Sequence, residues 1–262
     1  MTSVLVTGGT GRLGRRVVRA LAARGHTVRI LSRNPAAPPA PGADVVVADL
    51  ATGAGLRRAV TGCSGIVHCA TDPRRSREVD VGGTERLLAA ARDAGGPHVV
   101  HVSVVGVDRI PTEYYRSKLA VEAAVERSGL PWTVLRTTQF HEFVADLLGR
   151  LARLPVVPVP RGWRVQPIDV EEVARRLADA VASGPAGRLP DLGGPEVFPV
   201  VELVRDRLRR TGRRRPVVEV PLPGAVSAAL RAGAGLVPGN RSGGCTWREF
   251  LDGRSPSPLL EG

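Results

Sequence analysis

The chain has 262 residues, 43% of them apolar and 3% aromatic, and a formal charge of +12 at pH 7. That length and apolar content suffice for a full α/β core, while no stretch approaches the roughly 20 apolar residues that cross a bilayer. Cys63, Cys69 and Cys245 show no metal or redox spacing, the five histidines form no ligand motif, and no basic n-region announces a leader.

Ser3 to Val6 is a short apolar run, read as a buried strand. Thr7-Gly8-Gly9-Thr10-Gly11-Arg12-Leu13-Gly14 follows at once. Val17, Val18, Leu21 and Ala22 then recur at helical spacing, Gly25 stops the helix, and His26 to Leu31 forms a second strand. Strand, glycine loop, helix and strand together make a nucleotide site. The glycines allow a tight turn, close approach of backbone to a pyrophosphate, and close packing of helix on strand. The helix N-terminus offers free N–H groups to the phosphates.

The spacing Gly8-x-x-Gly11-x-x-Gly14 resembles the TGxxGxxG loop of the short-chain dehydrogenase/reductase superfamily, and most closely its atypical, NmrA-like NAD(P)-binding branch. The likeness covers roughly residues 3 to 183. It implies a doubly wound parallel Rossmann sheet over residues 1–184, and residues 185–262 are expected to form a small C-terminal lobe on the substrate side. It also implies that Gly8, Thr10, Gly11, Arg12, Leu13 and Gly14 cradle the cofactor.

An acid at the end of the second strand would select NAD. Leu31-Ser32-Arg33-Asn34-Pro35 has none, and Arg33, with Arg12, suits a 2′-phosphate. NADP(H) is expected over NAD(H).

Asp44 to Leu50 is a third strand. The resemblance puts Asp49 and Leu50 at the adenine, and a cap on the next helix is an equal reading for Asp49. Gly65 to Thr71 is a fourth strand whose end, Cys69, Ala70 and Thr71, lies along the ribose in the family. Asp80-Val81-Gly82-Gly83-Thr84 opens a helix to Ala94 and departs from the family's Asn-Val-x-Gly-Thr, leaving the role of position 80 open.

Pro97 to Ser103 is a fifth strand, with Ser103 at the ligand-binding edge. Tyr114-x-x-x-Lys118 follows, and it contains the only lysine among 37 basic residues. Positions i and i+4 share a helix face, and an ammonium there is expected to lower the tyrosine pKa. The resemblance makes Ser103, Tyr114 and Lys118 the catalytic set, with Lys118 also on the ribose; Tyr115 is out of register and is read as packing or pocket lining. After a helix to Ser128 and a sixth strand, Trp132 to Arg136, the segment with Gln139, Phe140 and His141 faces the substrate in the family. A position on a helix surface is the competing reading for His141.

Pro155 to Pro160 reads as extended. Asp169 and Glu172 suit a capping box before a helix to Ala182. Pro199–Arg210 and Pro223–Ala234 read as helices around a strand at Pro216–Val220. The arginines from Arg205 to Arg215 raise nucleic acid as a partner, but the few aromatics leave little to stack bases, and an exposed basic face is favoured. The expectation is a cytoplasmic NADPH-dependent reductase of a carbonyl or quinone, without metal or membrane contact. The alternatives are a non-catalytic NADP-binding redox sensor and an NAD-dependent sugar-nucleotide epimerase or dehydratase.

Overall fold

The computed structural model describes residues 2–35 and 42–253. They divide into two compact units: Met1–Ser103, Glu113–Arg136 and Val170–Pro190 form the first, and Val104–Thr112, Thr137–Asp169 and Asp191–Gly262 the second. The second unit thus takes in segments on both sides of residue 184. The segments that leave the carboxyl ends of the fifth and sixth strands join the C-terminal residues in the second unit.

The elements run β1 (Ser3–Thr7), α1 (Arg12–Ala23), β2 (Thr27–Ser32), β3 (Ala43–Val47), α2 (Leu56–Val60) and β4 (Gly65–His68). A π-helical turn (Ser76–Gly82) leads into α3 (Gly83–Asp93), β5 (His98–Val104), α4 (Glu113–Glu126) and β6 (Trp132–Thr137). There follow α5 (His141–Leu151), β7 (Val157–Pro160), β8 (Arg164–Val165), α6 (Val170–Ser183), β9 (Gly187–Arg188) and β10 (Phe198–Pro199). The last are α7 (Val200–Arg210), β11 (Val217–Val220), α8 (Ala225–Arg231) and α9 (Trp247–Leu251).

In the first unit, seven described strands make a parallel sheet in the order β3-β2-β1-β4-β5-β6-β9. Side chains alternate across a strand, and in β1 that sends Leu5 into one core with Ile66, Val99, Val134, Leu87 and Val125. Val4 and Val6, also fully buried, take the other face. There α1 and α6 are clamped by Glu171, which accepts from Arg16 at 2.9 Å and Arg19 at 2.8 Å. The order reverses between β1 and β4, and ligands bind outside the carboxyl ends of the strands at such a switch point. Thr7 and Cys69 stand there.

The second unit has an antiparallel pair, β10 with β8, and a parallel pair, β11 with β7. Its core joins Val144 and Leu148 of α5, Leu203 and Leu208 of α7, and Trp247 of α9. Gln166, fully buried, ties its loops together by donating to Gly194 O at 2.7 Å and accepting from Val237 N at 2.7 Å. Among the described residues no helix is long and apolar enough to cross a membrane, and no cluster of His, Cys, Asp or Glu suits a metal.

Candidate active site

The glycine loop is shaped by contacts that leave no room for side chains. A Cβ on Gly14 would lie 2.1 Å from Gly8 O, and one on Gly8, whose φ is +66°, would lie 2.9 Å from Ala70 Cα. Helix α1 thus starts hard against the loop, and the loop against the end of β4. The N-cap of α1 is Gly11, which offers no side-chain cap, and the first turn holds no acid. Its leading N–H groups suit phosphate oxygens. Arg12 and Arg33 are both exposed, on α1 and just after β2. Asp49 is half-buried, and its Oδ1 accepts from Ala51 N at 2.9 Å, closing a local turn rather than capping α2, whose N-cap is Gly55. Leu50 is buried. These residues fit a nicotinamide dinucleotide: a tight backbone cradle, an uncapped helix start and cations at the rim.

Behind the cradle lies a buried polar row that the sequence reading did not single out. Thr7, His68 and His101 are in register across β1, β4 and β5. Thr84 donates its hydroxyl proton to Asp80 O, so it must accept from His68 Nε2, 2.9 Å away. His68 Nδ1 is then bare and accepts from Thr7 Oγ1 at 2.7 Å, and Thr7 Oγ1 in turn accepts from Ala70 N at 3.2 Å. Each proton has one place to go, and the row locks Ala70 to the loop. Burial, with help from the Lys118 charge, pushes the His68 imidazole down to about 3, so it is neutral as the hydrogen bonds require. Burial raises the half-exposed Cys69 thiol to about 12, against a smaller pull from Lys118. It stays a thiol and is no nucleophile.

On α4, Tyr114 and Lys118 stand one turn apart as the spacing predicts. Tyr114 Oη lies 3.2 Å from Thr71 Oγ1, which donates to Asp80 Oδ2 at 2.6 Å. Lys118 is 4% exposed. Burial pushes its ammonium down, and Asp80 leads the charges that hold it up. The expected lowering of the tyrosine pKa is corrected here. Burial first, and then the Asp80 charge, raise the Tyr114 hydroxyl above the usual phenol value. A hydrogen bond from Thr71 would oppose this, but the one Thr71 proton is committed to Asp80. Tyr115 packs beside Tyr114, with ring centroids 5.9 Å apart.

Ser103 stands near the carboxyl end of β5. It is 1% exposed, and its Oγ is buried without a partner in hydrogen-bonding geometry. It sits near the Glu122 carboxylate, whose ionised form it helps to favour. Glu122 is committed to Arg136, at 2.9 and 2.7 Å, and to Arg188 at 2.7 Å. Ser103 thus faces Glu122 of α4 from the end of β5.

Gln139, Phe140 and His141 belong to the second unit. Gln139 and Phe140 are half-buried, and Phe140 is bridged to Ile168. His141 is not a surface residue. It is fully buried, stacked on Phe250 at 5.0 Å and 5.7 Å from Trp247. Burial holds its imidazole at about 4, the Pro167 backbone opposing only in part. A cleft of about 420 Å³ in the same unit, lined by Glu202, Asp206, Arg209, Arg210, Trp247 and Arg248, holds none of the candidate residues. Part of the basic run pairs locally, Arg210 with Asp206 and Asp252 and Arg209 with Asp206.

Residues 8–182 match a family described as NAD(P)H-binding. The chain belongs to that NAD(P)H-binding family. The resemblance carried by Gly8-x-x-Gly11-x-x-Gly14 to the atypical, NmrA-like branch is borne out, and the protein binds NAD(P)H. It is 33% identical over 249 residues to the chloroplastic divinyl chlorophyllide a 8-vinyl-reductase of Oryza sativa subsp. indica, covering 84% of this chain and 62% of that one. The chain thus spans less than two thirds of the rice protein. It is 32% identical over 235 residues to a (4-alkanoyl-5-oxo-2,5-dihydrofuran-3-yl)methyl phosphate reductase of Streptomyces griseus, covering 87% and 80%. The fold is that of an NADPH-dependent quinone oxidoreductase of Escherichia coli solved with NADPH (TM-score 0.80, 18% identity, 95% and 99% covered). It is also that of the UDP-glucose 4-epimerase of Thermus thermophilus in complex with NAD (TM-score 0.69, 23% identity, 86% and 88% covered). Two of the relatives this chain resembles are thus reductases by name.

Proposed function

We propose that this protein is an NADPH-dependent reductase whose substrate takes up negative charge on an oxygen: a carbonyl, a quinone, or a double bond conjugated to a carbonyl. The observation that carries this reading is the Tyr114 hydroxyl, held 3.2 Å from Thr71 at the carboxyl end of β4, with buried Lys118 one turn along α4. That edge adjoins the glycine cradle. NADPH, when bound, supplies the hydride. Tyr114 gives its Oη proton to the substrate oxygen, as a general acid. Lys118 holds the ribose hydroxyls and, by its charge, favours a developing oxyanion nearby. Gly8, Thr10, Gly11, Leu13 and Gly14 hold the pyrophosphate, Arg12 and Arg33 the 2′-phosphate, Asp49 and Leu50 the adenine, and Cys69, Ala70 and Thr71 the ribose edge. Ser103 faces Glu122, and Thr71 is the polar contact beside Tyr114.

The names of the relatives support reduction, and the absence of an acid after β2 supports NADPH. The test is NADPH absorbance loss across a panel of quinones, ketones and enones, wild type beside Tyr114→Phe. We expect turnover in the wild type and a drop of about 10²–10⁴-fold in the variant, the range of a lost general acid. Equal turnover in both would remove Tyr114 from the mechanism. NADPH binding with no turnover on any acceptor would favour the redox-sensor reading instead.

A further inference from the structure

We propose that Thr71 and Asp80 act as a positioning pair that aims the Tyr114 hydroxyl and keeps it protonated, setting the site as a proton donor. The proposal rests on the reductase reading for its consequence, not for its test.

Asp80 is 1% exposed. Its Oδ1 accepts from Asp72 N at 2.8 Å and its Oδ2 from Thr71 Oγ1 at 2.6 Å. A hydroxyl has one proton and two lone pairs, and that of Thr71 goes to the carboxylate, the stronger acceptor. Across the 3.2 Å between Thr71 Oγ1 and Tyr114 Oη, only Tyr114 can donate. The order is therefore Tyr114 to Thr71 to Asp80. A phenolate at Tyr114 would face an oxygen lone pair with a carboxylate behind it.

Asp80 is held in place to do this. It sits in the π-helical turn, a local widening of the kind found at functional sites. Its own carbonyl accepts from Thr84, and the turn is pinned to α4 by Ser76 Oγ donating to Ser117 Oγ at 3.0 Å. Asparagine, the family's residue before Val-x-Gly-Thr, would offer the same shape without the charge. The titratable groups that act on Tyr114 are Asp80 from the turn and Tyr115 beside it; Glu113, paired with Arg77, precedes it on α4, and Lys118, one turn along, has Cys69, His68 and His101 around it. Both histidines are neutral through burial. The Asp80 charge helps to raise Tyr114, and it leads the charges that oppose the lowering of Lys118 by burial. Beside the larger effect of burial, the one carboxylate favours the neutral phenol and the charged ammonium, the two forms that protonating an oxyanion requires. Oxidation of an alcohol would need the phenolate that this arrangement opposes.

The test reads the tyrosine itself, without cofactor or substrate. Tyr115→Phe leaves Tyr114 as the only tyrosine, so its ionisation can be followed by ultraviolet absorbance, with circular dichroism checking the fold across the same pH range. We expect a midpoint above that of free tyrosine. Asp80→Asn and Thr71→Val in the same background should each lower it by about one unit, a tenfold change, and Thr71→Ser should restore it. Unchanged or raised midpoints in both folded variants would overturn the proposal. Thr71 is exposed, so its variants remain informative if Asp80→Asn fails to fold. An unchanged midpoint with turnover that vanishes in Tyr114→Phe would sink the pair and leave the reductase standing. The expected shifts without turnover would do the reverse.

Discussion

Replacing His141 with phenylalanine separates a packing role from a substrate role. His141 is fully buried against Phe250 and Trp247, and its folded pKa is about 4, against an ordinary 6.5. The folded state therefore binds fewer protons than the unfolded chain. As pH falls below 6.5 the unfolded state gains a proton that the folded state refuses, and stability is lost until about pH 4. The gap of about 2.5 units, at 1.36 kcal/mol each, amounts to roughly 3 kcal/mol. His141→Phe removes this dependence while keeping an aromatic ring on Phe250. Urea unfolding at several pH values from 7.5 to 4.5 should show the wild type losing up to about 1.4 kcal/mol more per pH unit than the variant. The other histidines are common to both proteins and cancel. Identical slopes would refute the buried, neutral assignment. Loss of NADPH-dependent turnover in a variant of full stability would return His141 to the substrate side.

Three further outcomes are expected. Glu122→Gln leaves the Arg136 guanidinium, 9% exposed, without its carboxylate; breaking such a buried pair costs about 3–5 kcal/mol, read by calorimetry. Because the Glu122 carboxyl is held below its usual range by Arg136, Ser103 and Arg188 against its burial, the deficit should be full above pH 4.5 and shrink in more acid solution. Gly14→Ala forces a methyl to 2.1 Å from Gly8 O; overpacking of this kind costs about 1–3 kcal/mol or more, and fluorescence titration should show NADPH affinity lost with it. The control Gly25→Ala, with nothing within 4 Å but a φ of +80°, should lower stability through backbone strain alone and leave affinity intact. Arg33→Ala should weaken NADPH by about 10- to 100-fold, the worth of a charged hydrogen bond, and leave NADH nearly unchanged. Equal losses for both cofactors would take Arg33 off the 2′-phosphate.

The nucleotide half of this protein was legible because its demands are local. A tight turn beside a pyrophosphate needs glycine at 8, 11 and 14, and strands buried on both faces need apolar runs such as Ser3–Val6 and Val99–Val102. A helix face shows as the spacing of Val17, Val18 and Leu21, and the helical reach from Tyr114 to Lys118 is fixed by four residues of chain. Even α9, which the pattern reading passed over, has a legible start in the Thr246–Glu249 capping box. What the sequence could not show is where a side chain turns once strands and helices pack. Ser103 and Thr71 each sit at or just past the end of a strand, and only the seating of α4 decides that Thr71 meets Tyr114 while Ser103 goes under Glu122. His141 follows a strand as a substrate residue would, and only α9, more than a hundred residues later, encloses it. Asp80 looks like a departure from a motif until Thr71, Lys118 and the π-helical turn are brought around it. Hydrophobic period and glycine spacing act over a few neighbouring residues. Proton order, burial of charge and tyrosine acidity depend on groups far apart in the chain, and these only the tertiary structure brings together.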